Sequence, residues 1–242
     1  MDAIVGAGSV LVLLLLLGIA ISLARRDLFS FRWLLIAAGL VALNDALLTS
    51  GYGLILDLTS ELEWNWQGKT LALLATIMIA ALPSFGWQRC GLTFAQKPGS
   101  LVTAIPVAAL YVLFFVALAW VFPSDSASAE TIAFQLTMPG LEEELFYRGI
   151  LLFALDKAFL GRLRFLGVDW GWGAFLSCAL FGLAHAFGYS DGAFHFDPTV
   201  MALTAIPSFI AVWLRLRTGS GLLPMLLHNL GNSMSFIIAK PV

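Results

Sequence analysis

Long apolar runs separated by short polar breaks set the pattern of this chain. Eight runs stand out, at residues 3–24, 31–49, 70–87, 101–122, 131–155, 171–187, 198–214 and 220–239. Crossing the hydrocarbon core takes about 20 mostly apolar residues in helical form, so each run predicts a membrane-spanning helix. The alternation of apolar and polar positions that marks membrane β-strands is absent, and lipid tolerates only backbone that satisfies its own hydrogen bonds. The expected fold class is therefore all-α, a polytopic bundle of about eight transmembrane helices. No internal repeat is visible and no stretch is long enough for a soluble domain, so residues 1–242 read as a single integral membrane domain. The break around 50–69 is expected to lie along the membrane surface, and 123–130 (PSDSASAE) reads as a short polar turn.

Composition narrows the class further. Hydrophobic residues make up 60% of the chain and charged residues 12%, against roughly 45–50% and about 25% in soluble domains. Too few polar side chains remain to clothe a soluble globule. With 13 Lys and Arg against 15 Asp and Glu, the net charge is −2, and no basic block suits a nucleic acid. Cys90 and Cys178 lie in contexts that suggest buried free thiols.

Charge also orients the chain. Arg25 and Arg26 follow the first apolar run instead of preceding it, which marks an uncleaved first helix with its N-terminus outside. On that map Arg25, Arg26, Arg32, Arg89, Lys97, Lys157, Arg162, Arg164, Arg215 and Arg217 all fall on the cytoplasmic side. Lys69 and Lys240 fall outside and Arg148 within a span, in keeping with the positive-inside rule. The outer breaks carry Asp57, Glu61, Glu63, Asp125, Glu130, Asp191 and Asp197, and all eight tryptophans sit near predicted span ends. The expected location is a bacterial-type inner (plasma) membrane.

Against this background the polar residues within spans are conspicuous. A charge near the bilayer centre costs on the order of 2.5–3.5 kcal/mol, yet the fifth run holds Glu142, Glu143, Glu144 and Arg148 within one short stretch. Glu144 and Arg148 are four apart and pair on one helical face, while Glu143 points elsewhere. Pro139 and Gly140 just upstream are expected to loosen the helix. The sixth run contains Phe181 and His185, and the eighth His228 and Asn232, each pair again four apart. Singly, an intramembrane His or Asn serves as interhelical glue, and Glu144–Arg148 serves as a buried structural pair. Glu142 reads as sitting at a water-filled edge, and His195, in an outer loop, as unrelated to any site. Together, the acids, Arg148, two imidazoles and a carboxamide from three spans make a polar chamber suited to activating water or moving protons. From the drawn ends, His185 and His228 differ in depth by several Å, which requires helix tilt or a misdrawn sixth span.

EELFYR (Glu143 to Arg148) resembles the EExxxR motif of the CAAX prenyl endopeptidase and bacteriocin-processing membrane proteins, the CPBP or Abi family. FGLAH (Phe181 to His185) and HNLGN (His228 to Asn232) resemble that family's FxxxH and HxxxN motifs, in the same order. The resemblance covers roughly residues 139–235. It implies an eight-helix intramembrane protease whose catalytic part lies at about 131–239. Glu143 would be the catalytic glutamate, and His185 would hold and polarise a water with it. His228 and Asn232 would stabilise the oxyanion, with Glu144, Arg148 and Phe181 in support. The substrate would be a peptide or protein within or beside the bilayer, possessing or lacking a prenyl group.

The residue types suit this chemistry without the family. Apolar burial strengthens a carboxylate as a base, and imidazole and amide groups donate to a developing oxyanion, each donor contributing about 2.7–4 kcal/mol. Glu143, His185 and His228 also have the composition of a His₂Glu zinc site, although nothing resembles HExxH. A metal-free glutamate mechanism is the expectation, with zinc as the alternative cofactor. Two other functions remain open to these residues. One is a proton-coupled transporter, which internal repeats would accompany; the other is a non-catalytic immunity-type membrane protein.

Overall fold

A computed structural model describes residues 1–124 and 127–238. Asp125, Lys240 and the last residue of the eighth predicted span, 239, lie outside the described residues. The chain is mostly helical. Its principal helices are α1 (Asp2–Ser22), α2 (Phe31–Leu48), α3 (Trp66–Ala81), α4 (Leu101–Val121), α5 (Ala129–Pro139), α6 (Leu152–Ala158), α7 (Trp172–Ala186), α8 (Pro198–Thr218) and α9 (Leu222–Ile237). A π-helix, Gly140–Leu151, joins α5 to α6, so these three form one rod over the fifth predicted span.

Eight helical segments thus stand where the eight apolar runs predict them. Only four of them, α1, α2, α4 and α8, are long and apolar enough by themselves to cross a membrane. Local chemistry accounts for the shorter ones. Helix α3 stops at Ala81 because Leu82 precedes Pro83 and is forced into extended backbone (φ −64°, ψ 142°). It also starts four residues before the predicted run, because the Asn65 side chain caps it by accepting from Gly68 N at 2.9 Å. That early start moves Lys69 from the predicted outer loop into the first turn of a helix. Helix α8 begins on Asp197, whose carboxylate accepts from Thr199 N and Val200 N, and ends on Gly219 in the left-handed region (φ 78°).

Two short antiparallel hairpins depart from the all-helical expectation: β1 (Leu163–Phe165) with β2 (Val168–Trp170), and β3 (Phe187–Ser190) with β4 (Ala193–Phe196). Both lie in polar breaks, where too few residues remain for alternation to show. The break at 50–69 packs against the start of α5. Glu130 of α5 accepts from Glu63 N, Trp64 N and Trp66 Nε1, and Trp64 stacks on Phe134 at 5.0 Å. The Ser128 and Thr131 hydroxyls hold the Glu63 carboxyl below its ordinary range.

The rod is the axis of the bundle. Phe146, Ile150 and Leu151 of the π-helix pack with Leu155 of α6, Leu34 of α2 and Leu180 of α7 in the main apolar core. Where α-helix gives way to π-helix, Pro139 offers no N–H and the ladder changes step. Asn229 of α9 bridges that break: its Oδ1 accepts from Gly140 N at 2.6 Å and its Nδ2 donates to Thr137 O at 3.1 Å. Gly140 is required there, since a Cβ would collide with Met225 O and the Asn229 amide. Cys90 and Cys178 are buried and free, as the sequence suggests.

Candidate active site

The π-helix turns two of its three consecutive glutamates to one lysine and the third to Arg148 and His228. Glu142 is fully buried, not at a water-filled edge, and its Oε2 accepts from Lys69 Nζ at 2.7 Å. Glu143 Oε1 accepts from the same ammonium at 2.5 Å. Its Oε2 is buried without a hydrogen-bond partner and faces His228 Nε2 at 3.6 Å and His185 Nε2 at 3.9 Å. Glu144 pairs through Oε2 with Arg148 Nε at 3.1 Å and through Oε1 with His228 Nδ1 at 2.7 Å. Three carboxylates are therefore met by two cations and two imidazoles.

Each ring is oriented by its other nitrogen. His185 Nδ1 lies 2.8 Å from Phe181 O, the carbonyl one turn earlier, and a carbonyl only accepts, so Nδ1 carries the proton there. His228 Nδ1 meets the Glu144 carboxylate in the same sense. Both Nε2 atoms are left to face Glu143 Oε2 across gaps wider than a direct hydrogen bond, the separation that a bridging water spans. Asn232, one turn beyond His228, lines the same cavity of about 450 Å³ with Glu143, Glu144, His185 and His228. Phe181 is the apolar hinge of the group. The Arg148 guanidinium lies 4.2 Å from its ring centroid, and the His185 and His228 rings lie 4.7 and 5.9 Å from it. Arg148 also donates to Ser208 Oγ of α8 at 2.8 Å.

The seven residues singled out in the sequence are thus brought to one cavity or its wall. The ends of α7 and α9 fall within about three residues of the predicted ones, so it is the set of the helices, not misdrawn boundaries, that brings the two histidines level. His195 is on the exposed β4 strand, its Nε2 near Ser190 O. Sequence reasoning missed Lys69, Asn229 and Ser208. Lys69 was one of only two basic residues on the predicted outer side, with Lys240, and that was the one available signal. Among the described residues, no cluster of three or more His, Cys, Asp or Glu has metal-holding geometry. A larger cavity, about 1090 Å³, lies between the β1–β2 hairpin and α8, but its wall is aromatic and aliphatic apart from Arg162 and holds no carboxylate or imidazole.

Residues 125–234 match the family model described as type II CAAX prenyl endopeptidase Rce1-like. The resemblance read from the three motifs holds. The match takes in the rod, α7, α8 and most of α9, with every motif residue, and leaves out α1 to α4. It supports a CAAX-type membrane protease, and with four helices able to cross a bilayer the chain is an integral membrane protein. No curated protein and no solved structure matches it.

The Glu144–Arg148 pair is nearly inaccessible, with each side chain 1% exposed. Arg148→Met should therefore destabilise the fold by about 3–5 kcal/mol, the cost of an uncompensated buried charge. Thermal unfolding in detergent checks this, and Arg148→Lys should recover little, since lysine cannot serve Glu144 and Ser208 together.

Proposed function

We propose that the chain is an intramembrane endopeptidase that hydrolyses a peptide bond with a water activated by Glu143. The observation that carries this reading is the unpartnered Glu143 Oε2, facing two imidazole Nε2 atoms in a cavity within the bundle. In this account all eight helical segments cross the bilayer, with the N-terminus outside, and the single domain encloses the site. The bacterial inner membrane is the proposed setting.

The water would donate one O–H to Glu143 Oε2 and the other to His185 Nε2, leaving its lone pair for the scissile carbonyl carbon. The tetrahedral intermediate places negative charge on the former carbonyl oxygen. Asn232 Nδ2 and His228 Nε2–H are the donors on the cavity wall suited to that charge. Because His228 Nδ1 is held by Glu144, Nε2 is the ring nitrogen presented to that oxygen, and it donates when it carries a proton. Glu143 then passes the proton it received to the leaving amine. The substrate is a membrane-associated peptide or protein, and a prenylated C-terminal peptide is the class that the matched family's description indicates.

Glu143→Ala and His228→Ala should abolish cleavage while leaving insertion intact. Comparative membrane proteomics of cells carrying each variant should show a precursor accumulating, and normal processing in both would refute the assigned roles. A zinc mechanism would place a dication on Glu143, His185 and His228, where the Lys69 ammonium already lies 2.5 Å from Glu143 Oε1; this supports the metal-free reading. Activity should accordingly survive a strong zinc chelator. Loss of activity that added zinc restores would favour the metal reading.

A further inference from the structure

We propose that Lys69, contributed by α3 from outside the segment that matches the protease family, is the positioning residue that holds Glu143 ready to activate water. This rests on the hydrolase reading above and extends it to the half of the chain that carries no motif.

A lysine at this place incurs two penalties. Its side chain is only 13% exposed, and a desolvated ammonium is costly unless paired. It also occupies the first turn of α3, where the positive end of the helix dipole disfavours a cation. Both are offset by the two carboxylates it contacts, Glu142 at 2.7 Å and Glu143 at 2.5 Å. Its approach is fixed from behind. Asn65 caps α3 through Gly68 N and donates from Nδ2 to Leu48 O at 2.7 Å, tying the start of α3 to the end of α2.

The geometry at Glu143 gives the clamp its consequence. Lys69 engages Oε1 alone, so the carboxylate cannot rotate freely, and Oε2 is the oxygen presented to the two histidines. Glu142 serves as the second anchor of the ammonium and keeps it from following Glu143 when substrate enters. Without the ammonium, two neighbouring carboxylates would repel one another within the core and Glu143 would lose its fixed orientation. Misplacing a reacting group by about 1 Å costs on the order of 100-fold, which sets the expected scale.

The test uses the full chain in detergent with an internally quenched prenylated peptide ending in a CaaX sequence. Lys69→Met should lower kcat by about 30–100-fold with KM within about twofold of wild type, and Lys69→Arg should recover most of the loss. A wild-type kcat in Lys69→Met beside an inactive Glu143→Ala would overturn this inference alone. Full activity of Glu143→Ala would overturn the water-activating role of Glu143 and this inference with it, whereas a wild type that leaves the peptide uncut would count against the hydrolase reading. If Lys69→Met fails to accumulate, Lys69→Met/Glu142→Gln removes both buried charges and should show the same loss of kcat; normal turnover there would again overturn the inference. A substrate-independent readout is the melting temperature of Lys69→Met, Glu143→Gln and the combined variant. Coupled residues give non-additive shifts, so additive shifts would overturn the clamp even if the wild type leaves the peptide uncut.

Discussion

Three adjacent carboxylates inside an apolar bundle are tolerable only if each finds a positive or hydrogen-bonding partner. Lys69 takes Glu142 and one oxygen of Glu143, and Arg148 and His228 divide Glu144 between them. Glu143 Oε2 is left with two imidazole nitrogens before it. Arg148 extends the same logic outward to Ser208 and the face of Phe181, so that α7, α8, α9 and the rod are joined through one guanidinium and its partners.

The rod's geometry makes this distribution possible. A π-helix sets successive side chains around a wider coil than an α-helix does, and short π segments recur at functional sites. Here the change of step falls at Pro139–Gly140, just upstream of the glutamates, and Asn229 of α9 supplies the donor and acceptor that the broken ladder lacks. Asn229 adjoins His228, so the contact that repairs the backbone also sets the His228 ring beside Glu144. Structural repair and chemical placement share one helix turn.

Much of this was legible in the sequence, for a physical reason. Apolar length reports burial in lipid, and ionisable residues within such lengths stand out because their cost is high. That is how Glu143, Glu144, Arg148, His185, His228 and Asn232 were found, together with their i,i+4 pairings. Lys69 was not found, because its partners are more than 70 positions away and an apolar run says nothing about which loop folds back onto it. The capping by Asn65 that draws Lys69 into α3 is a local signal, but its importance emerges only once α3 lies against the rod. Likewise, Pro139 and Gly140 announce a weakened helix without specifying a π-helix or the Asn229 that completes it. The short hairpins were invisible because three or four residues cannot display a period.

The proposed chemistry needs a water held between the Glu143 carboxyl and the His185 ring. An experimental density map of the protein in a lipid nanodisc, at a resolution that shows ordered solvent, should reveal one water within hydrogen-bonding distance of Glu143 Oε2 and His185 Nε2. A Glu143 carboxyl turned toward the acyl chains, or lying more than about a dozen Å from both imidazoles, far beyond the reach of one bridging water, would contradict it.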